Sequence, residues 1–484
     1  MIREINCQVA IIGGGIAGLV SAALLSKYGY EVCLIEKENH LGGCIYNKIE
    51  NGHILQGGAH HLGGLGEGEI VSNILKELSL YSEELFIENN PLIGKVEAEE
   101  ILVPFRLNKL KDELISNFPL EKNNILRFFS EIEYFKEALT VNNSIKVLKY
   151  FQAWSRISFY DLLARYFEDM KIAAYLCALG PGYGGITSSG SAFTMVSLLA
   201  TYGSGAYNVK GSMNTLVHIL EDYVKKNPKA TILKGALVNK IDIENGIVQS
   251  VECLSEDCTN VVRLQNLIVT SDIGNIYKLV CTKVKNNRFH DKINSLEIGY
   301  SPIRLFLSFE KKRSLNDYIM LPSFDVRKWD ESLLYSSTKY NNTISMFSFP
   351  TVVDRSLCPK NQDHMLMTIL TNSELIKASR EDLQSKLYNM VDRYFPSITV
   401  DQVVTTVATN EDIEAKTFNR NGSVFGWKRG INEVINSNII GPKCMFKNFY
   451  VAGNWGPTFG VYGAFYSSKN AVTEILNNYE ARAL

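Results

Sequence analysis

Glycines at positions 13, 15 and 18, with an acid at Glu36, have the types and spacing to hold a nucleotide. Gly13 permits a tight turn, Gly15 lets the backbone approach a pyrophosphate, and Gly18 lets a helix and a strand pack closely. Ile16 and Ala17 open a helix whose unsatisfied N–H groups and positive dipole end suit phosphate oxygens. Glu36 can accept hydrogen bonds from both hydroxyls of a ribose, with Lys37 beside it, and the acid disfavours a 2′-phosphate. NADP is therefore disfavoured at this site. His60 and His61 form the other chemically promising pair, because imidazole changes charge near neutral pH and can move a proton. They end the run Gln56-Gly57-Gly58-Ala59-His60-His61, where capping the backbone of a glycine loop is the competing role.

The flanking residues turn these spacings into elements. Cys7 to Ile12 reads as a short buried strand carrying Val9, Ile11 and Ile12, and a helical stretch runs from Ile16 to about Tyr28. After Gly29 a second apolar strand, Val32-Cys33-Leu34-Ile35, ends at Glu36. Strand, glycine turn, helix, strand and acid in that order specify a dinucleotide-binding unit. Thr231 to Val251 reads as alternating strands around Gly246, with Ile232 and Leu233 in the first of them. At the far end Asn448 to Trp455 reads as a strand closing on Gly453 and Asn454. Gly456, Gly460, Val461, Tyr462 and Gly463 follow, then a helix from Ala464 onward.

With 484 residues the chain has room for two or three lobes. Its 46% hydrophobic and 21% charged content is that of a soluble globular enzyme and argues against disorder. A net charge of −1 gives no field to recruit nucleic acid. Nine cysteines without a CxxC pair or a zinc set indicate reduced thiols in a cytoplasmic setting and no metal centre. The start at Met1 runs into a strand without the apolar segment of a signal peptide. No apolar stretch reaches the ~20 residues that span a bilayer. A cytoplasmic protein is expected, with room for peripheral contact with a membrane and with its oligomeric state open.

Leu41-Gly42-Gly43, following the acid closely, decides between cofactors. This segment and the C-terminal motif resemble the FAD-dependent amine oxidase and phytoene desaturase superfamily. The order Ser158 to Leu163, Gly180 to Gly185, Phe193 to Tyr202 and Gly205 to Met213 resembles its desaturase, carotenoid isomerase and retinol saturase branch. Gly422 to Trp427 is similar to that family's glycine-bearing turn before the chain returns to the cofactor. There are departures: Cys44 stands where many relatives carry arginine, Lys210 replaces a proline and Ser212 a glycine. Asn454 also stands where amine oxidases have glutamate. The resemblance implies non-covalent FAD, held by Gly13, Gly15, Ile16, Ala17, Gly18, Glu36, Lys37, Gly42, Gly43 and Cys44. Gly57, Gly58, Ala59, Val238, Gly453, Asn454, Gly460 and Val461 complete that set.

What this implies is an α/β fold, a discontinuous Rossmann-like FAD-binding domain with an inserted α+β substrate domain. The first comprises 1–70, 205–290 and 430–484; the second comprises 71–204 and 291–429, helical over about 110–204. The expected activity is dehydrogenation or isomerisation of a small apolar polyene, isoprenoid or acyl substrate by hydride transfer to flavin. His60, His61, Asn454, Trp455 and Tyr462 are the candidate catalytic residues, the aromatic rings stabilising a cationic substrate. No second dinucleotide motif appears, so electrons are expected to leave to oxygen or a quinone. An oxygen-dependent amine or protoporphyrinogen-type oxidase, and a non-catalytic FAD-containing partner in a biosynthetic complex, are the alternative readings.

Overall fold

The computed structural model describes residues 2–96, 99–141, 143–256, 258–280, 287–310, 315–321, 325–329, 343–371, 379–399, 402–437, 441 and 444–483. The strand Val9–Ile12 is buried at all four positions, as a continuous apolar run must be when both faces of a parallel sheet are covered. It pairs in parallel with Val32–Ile35 on one side and Asn266–Val269 on the other. Ala230–Leu233 and Phe449–Val451 extend the two edges, making a five-stranded parallel sheet. The helices Ile16–Lys27, Met213–Lys225 and Gly460–Ala483 pack together in its apolar layer, where Leu19, Leu216 and Phe465 are fully buried. The fold is α/β and Rossmann-like.

Two expected elements sit differently. Ile232 and Leu233 belong to the parallel sheet, and the hairpin around Gly246 is made by Leu237–Glu244 and Ile247–Leu254. Asn245 and Gly246 both have positive φ, the twist that a two-residue hairpin turn requires. That hairpin joins Thr259–Arg263 and Ile2–Asn6 in a separate four-stranded sheet. The C-terminal helix begins at Gly460, four residues before the expected Ala464. The glycines that read as a loop are in part its first turn: the Gly463 N–H already bonds the Phe459 carbonyl at 3.1 Å.

Opposite the parallel sheet stands a seven-stranded sheet in the order Gln402–Ala408, Ser301–Glu310, Gln362–Thr371, Ser345–Ser348, Tyr318–Leu321, Leu92–Val96, Glu99–Val103. Ser301–Glu310 is buried along nearly its whole length, because strands flank it and side chains cover both faces. Helices Leu107–Asn117, Lys122–Thr140, Ser144–Trp154, Lys171–Cys177 and Ala192–Tyr202 form an apolar layer beyond it. In Lys122–Thr140 the buried Ile125, Phe128, Phe129, Ile132 and Phe135 recur at helical spacing and fix which face turns inward. Among the described residues no helix is long and apolar enough to cross a membrane, and the cysteines there are free thiols.

Candidate active site

The parallel sheet and the seven-stranded sheet close on a cavity of about 540 Å3. Gly13, Glu36, Ser271 and Gly453, at the carboxyl ends of four parallel strands, line its floor, which is where open α/β sheets bind ligands. At Gly13, with φ +105°, a Cβ would lie 2.6 Å from Thr270 Oγ1. At Gly18 it would strike the Gly13 carbonyl oxygen; this glycine packs helix against turn and does not reach the cavity. At Gly15 no protein atom comes within 3.9 Å of the same point, so the room there belongs to the cavity. Gly15 caps Ile16–Lys27 without a side-chain bond, leaving first-turn N–H groups free for an anion, with Ile16 and Ala17 on the cavity wall.

Glu36 is held by its own backbone surroundings: Oε2 accepts from the Gly14 N–H at 2.7 Å and Oε1 from the Glu38 N–H at 2.9 Å. Lys37 pairs with Glu38 and lies 4.2 Å from the centre of the Phe418 ring. Gly42, Gly43, Cys44, Gly58, Ala59 and Val238 line the same cavity. Gly57 does not, because the Tyr46 ring covers it. Burial pushes the Cys44 thiol up to about 11, which leaves it neutral, and Asn419 Nδ2 donates to its sulfur at 3.4 Å.

From the C-terminal motif Gly453, Asn454, Trp455, Gly460 and Val461 reach the cavity. Asn454 spends its amide on the Val424 carbonyl, 2.6 Å away. The indole N–H of Trp455 donates to Asn419 Oδ1 at 2.9 Å, and the Arg420 guanidinium lies 5.0 Å from the ring centre. Its ring therefore borders both a protein cation and the cavity. Tyr462 lies off the cavity, its ring against Gly64, because the early helix start turns position 462 toward that loop.

His60 and His61 do meet here. His61 Nδ1 lies 2.8 Å from the Tyr183 hydroxyl, and Nε2 lies 3.5 Å from Asp317 Oδ2. The Asp317 Oδ1 accepts from the Phe349 N–H at 2.7 Å, and His60 Nε2 lies 3.2 Å from Ser348 Oγ. Burial holds His61 well below the usual imidazole range and His60 down to about 4, and it pushes Asp317 up to about 6. Near neutral pH the group is two uncharged imidazoles beside one carboxylate. One donor atom each from His60, His61 and Asp317 fall within 4.8 Å of one another, a set that also has metal-ligand chemistry. Tyr183 belongs to a glycine run visible in the sequence. Asp317 and Arg304, which also lines the cavity, sit in no motif; only the strand pairing brings them here.

A glycine cradle beneath a helix N-terminus, an anchored acid for a ribose and a long adjoining cavity fit a dinucleotide, and they define a nucleotide-dependent oxidoreductase. The chain belongs to the flavin-containing amine oxidoreductase family, which it matches over residues 16–476. It is 23% identical to 4,4'-diapolycopen-4-al dehydrogenase of Metabacillus indicus, across 98% of each chain. It is 22% identical to all-trans-retinol 13,14-reductase of Danio rerio, covering 98% of this chain and 86% of that one. An oxidoreductase from Methanosarcina mazei shares the fold at TM-score 0.67 and 16% identity, over 97% of this chain and 100% of that one. The protein is an FAD-dependent oxidoreductase, with its cofactor held non-covalently.

Proposed function

We propose that the protein dehydrogenates or isomerises an apolar polyene, isoprenoid or acyl substrate, with oxygen or a quinone taking the electrons after net oxidation. The observation that carries this reading is the line Tyr183–His61–Asp317, set among the apolar walls Tyr202, Met346 and Phe425. Bound FAD supplies a two-electron acceptor for a hydride. The chain supplies the proton path: Tyr183 Oη takes a proton from substrate carbon as its own passes to His61 Nδ1. The Asp317 carboxylate holds the Nε2–H side and balances the charge that forms. The apolar walls keep water from the reacting carbons. Relatives named for a diapolycopenal and for all-trans-retinol support a polyene.

The test is anaerobic incubation of holoprotein with detergent-dispersed all-trans-retinol and with a diapocarotenoid, following flavin absorbance and product mass. Loss of two hydrogens with flavin bleaching supports desaturation, and an unchanged mass with altered retention supports isomerisation. If every polyene is inert while an amine bleaches the flavin and yields peroxide in air, the reading falls to the amine oxidase alternative.

A further inference from the structure

We propose that Arg304 is the cation that faces the isoalloxazine end of bound FAD and raises its reduction potential, an inference that rests on the flavin reading of the cavity. Arg304 lies on Ser301–Glu310, opposite Thr368 on one neighbouring strand and Ala408 on the other. It is only 8% exposed and lines the cavity, yet its Nε and Nη1 are buried with no hydrogen-bond partner. A buried donor without a partner calls for an acceptor from outside the chain, whether water, ion or ligand. Arg420 and Arg429 each leave one nitrogen so, and Arg304 leaves two while lining the cavity. The side chains electrostatically coupled to it are Cys44, Tyr46 and His60: a thiol, a phenol and an imidazole, each neutral near pH 7.

Those neighbours also say which part of a dinucleotide it meets. Glu36 marks the ribose and the N-terminus of Ile16–Lys27 marks the pyrophosphate. The Gly42 N–H bonds the Gly14 carbonyl at 2.9 Å, which sets Gly43 and Cys44 beside that pyrophosphate end. His60, by contrast, belongs to the histidine pair of the proton path, its ring centre 4.3 Å from that of His61. Arg304 shares the cavity wall with His60, His61 and Tyr183, so we place it by the reacting end, where the ring must lie for a hydride to reach it. A hydride adds one negative charge to that ring. An arginine stays protonated, and in a dry site its attraction favours the reduced form over the oxidised one. The other cations lining the cavity are engaged elsewhere: Lys37 pairs with Glu38, and Lys416 lies 3.8 Å from the centre of the Tyr46 ring.

The experiment compares wild type, Arg304→Met and Arg304→Lys as holoproteins. The midpoint potential is measured by equilibrium with redox dyes and FAD affinity by fluorescence quenching, with circular dichroism to report folding. The expected result is a lower potential in Arg304→Met, largely restored in Arg304→Lys, with FAD affinity changed less than tenfold. An unchanged potential with FAD weakened tenfold or more would place the guanidinium on the phosphates and overturn the proposal. Unchanged potential and affinity together would leave it to substrate alone and overturn it equally. Should Arg304→Met misfold, a wild-type potential in Arg304→Lys supports a charge effect, and a potential fallen in that folded, flavin-loaded variant rejects it. Wild-type protein that takes up no FAD would defeat the cavity reading itself, and this inference with it.

Discussion

Asp317 is pushed up to about 6 by burial, so the native state favours its neutral form, whereas the ordinary value is 3.8. A raised carboxyl contributes stability that is full below pH 4 and lost as pH rises through about 6. Asp317→Asn keeps the acceptor for the Phe349 N–H and removes the charge. The variant should be more stable than wild type above pH 6, on the order of 1–3 kcal/mol, and equal to it below pH 4, as read by urea unfolding. Turnover should move the other way: in wild type kcat rises with pH through about 6, and in Asp317→Asn that limb disappears. Tyr183→Phe should bind FAD normally and lose roughly 10²–10⁴ in kcat, the usual worth of a positioned proton-transfer group. Because the path moves protons alone, dialysis against a chelator should leave kcat unchanged. A loss that zinc or ferrous iron restores would make His60, His61 and Asp317 a metal site instead. Of these residues the histidines were legible in the sequence, as two imidazoles behind a glycine pair. Asp317 was not: its neighbours carry no spacing signal, and its chemistry appears only when Tyr318–Leu321 pairs with Leu92–Val96 and Ser345–Ser348.

At the scale of elements, the strand–turn–helix unit was legible because buried parallel strands leave continuous apolar runs and the turn between them demands glycine. The C-terminal helix was misplaced by four residues for the converse reason. Glycine at 460 and 463 reads as loop, while in the fold Gly460 takes φ +68° at the helix start and Gly463 lies inside the first turn. The register of the seven-stranded sheet left no local trace, since Leu92–Val96 meets Tyr318–Leu321 across more than 200 residues. The glycines of the first turn offer a test that separates folding from binding. In Gly15→Ala the new methyl meets no protein atom within 3.9 Å, so the apoprotein should melt within about 2 °C of wild type while FAD affinity falls tenfold or more. In Gly18→Ala the methyl strikes the Gly13 carbonyl, and the helix must lift from the turn. That variant should lose on the order of 2–4 kcal/mol even without cofactor. Equal apoprotein stability in the two variants would contradict the division of roles between the two glycines.

The molecule as a whole encloses one large cavity between sheets that the chain visits several times. The parallel sheet takes strands from positions 9–35, 230–269 and 449–451, and the facing sheet takes strands from 92–103 and from 301–408. Glycine loops from 13–18 and 42–44, the His60 and His61 segment, Arg304 and the Gly453 turn all border one cavity. A ligand there touches segments far apart in sequence, none of which forms the site alone, so the unfolded chain offers it no comparable partner. Binding to the native state alone adds stability as RT ln(1 + [L]/Kd), about 2.7 kcal/mol at a hundredfold excess over Kd. Protein stripped of FAD should therefore melt lower than holoprotein, and its Tm should climb with the logarithm of added FAD. ADP, which reaches only the Glu36 and helix-terminus end, should recover part of that gain. If ADP recovers all of it, the contacts beyond Cys44 contribute nothing to holding the two sheets together, and the cavity would act as a nucleotide cleft with a loosely held ring. If FAD alone gives the full rise, the ring end is where the seven-stranded sheet is fastened to the parallel one.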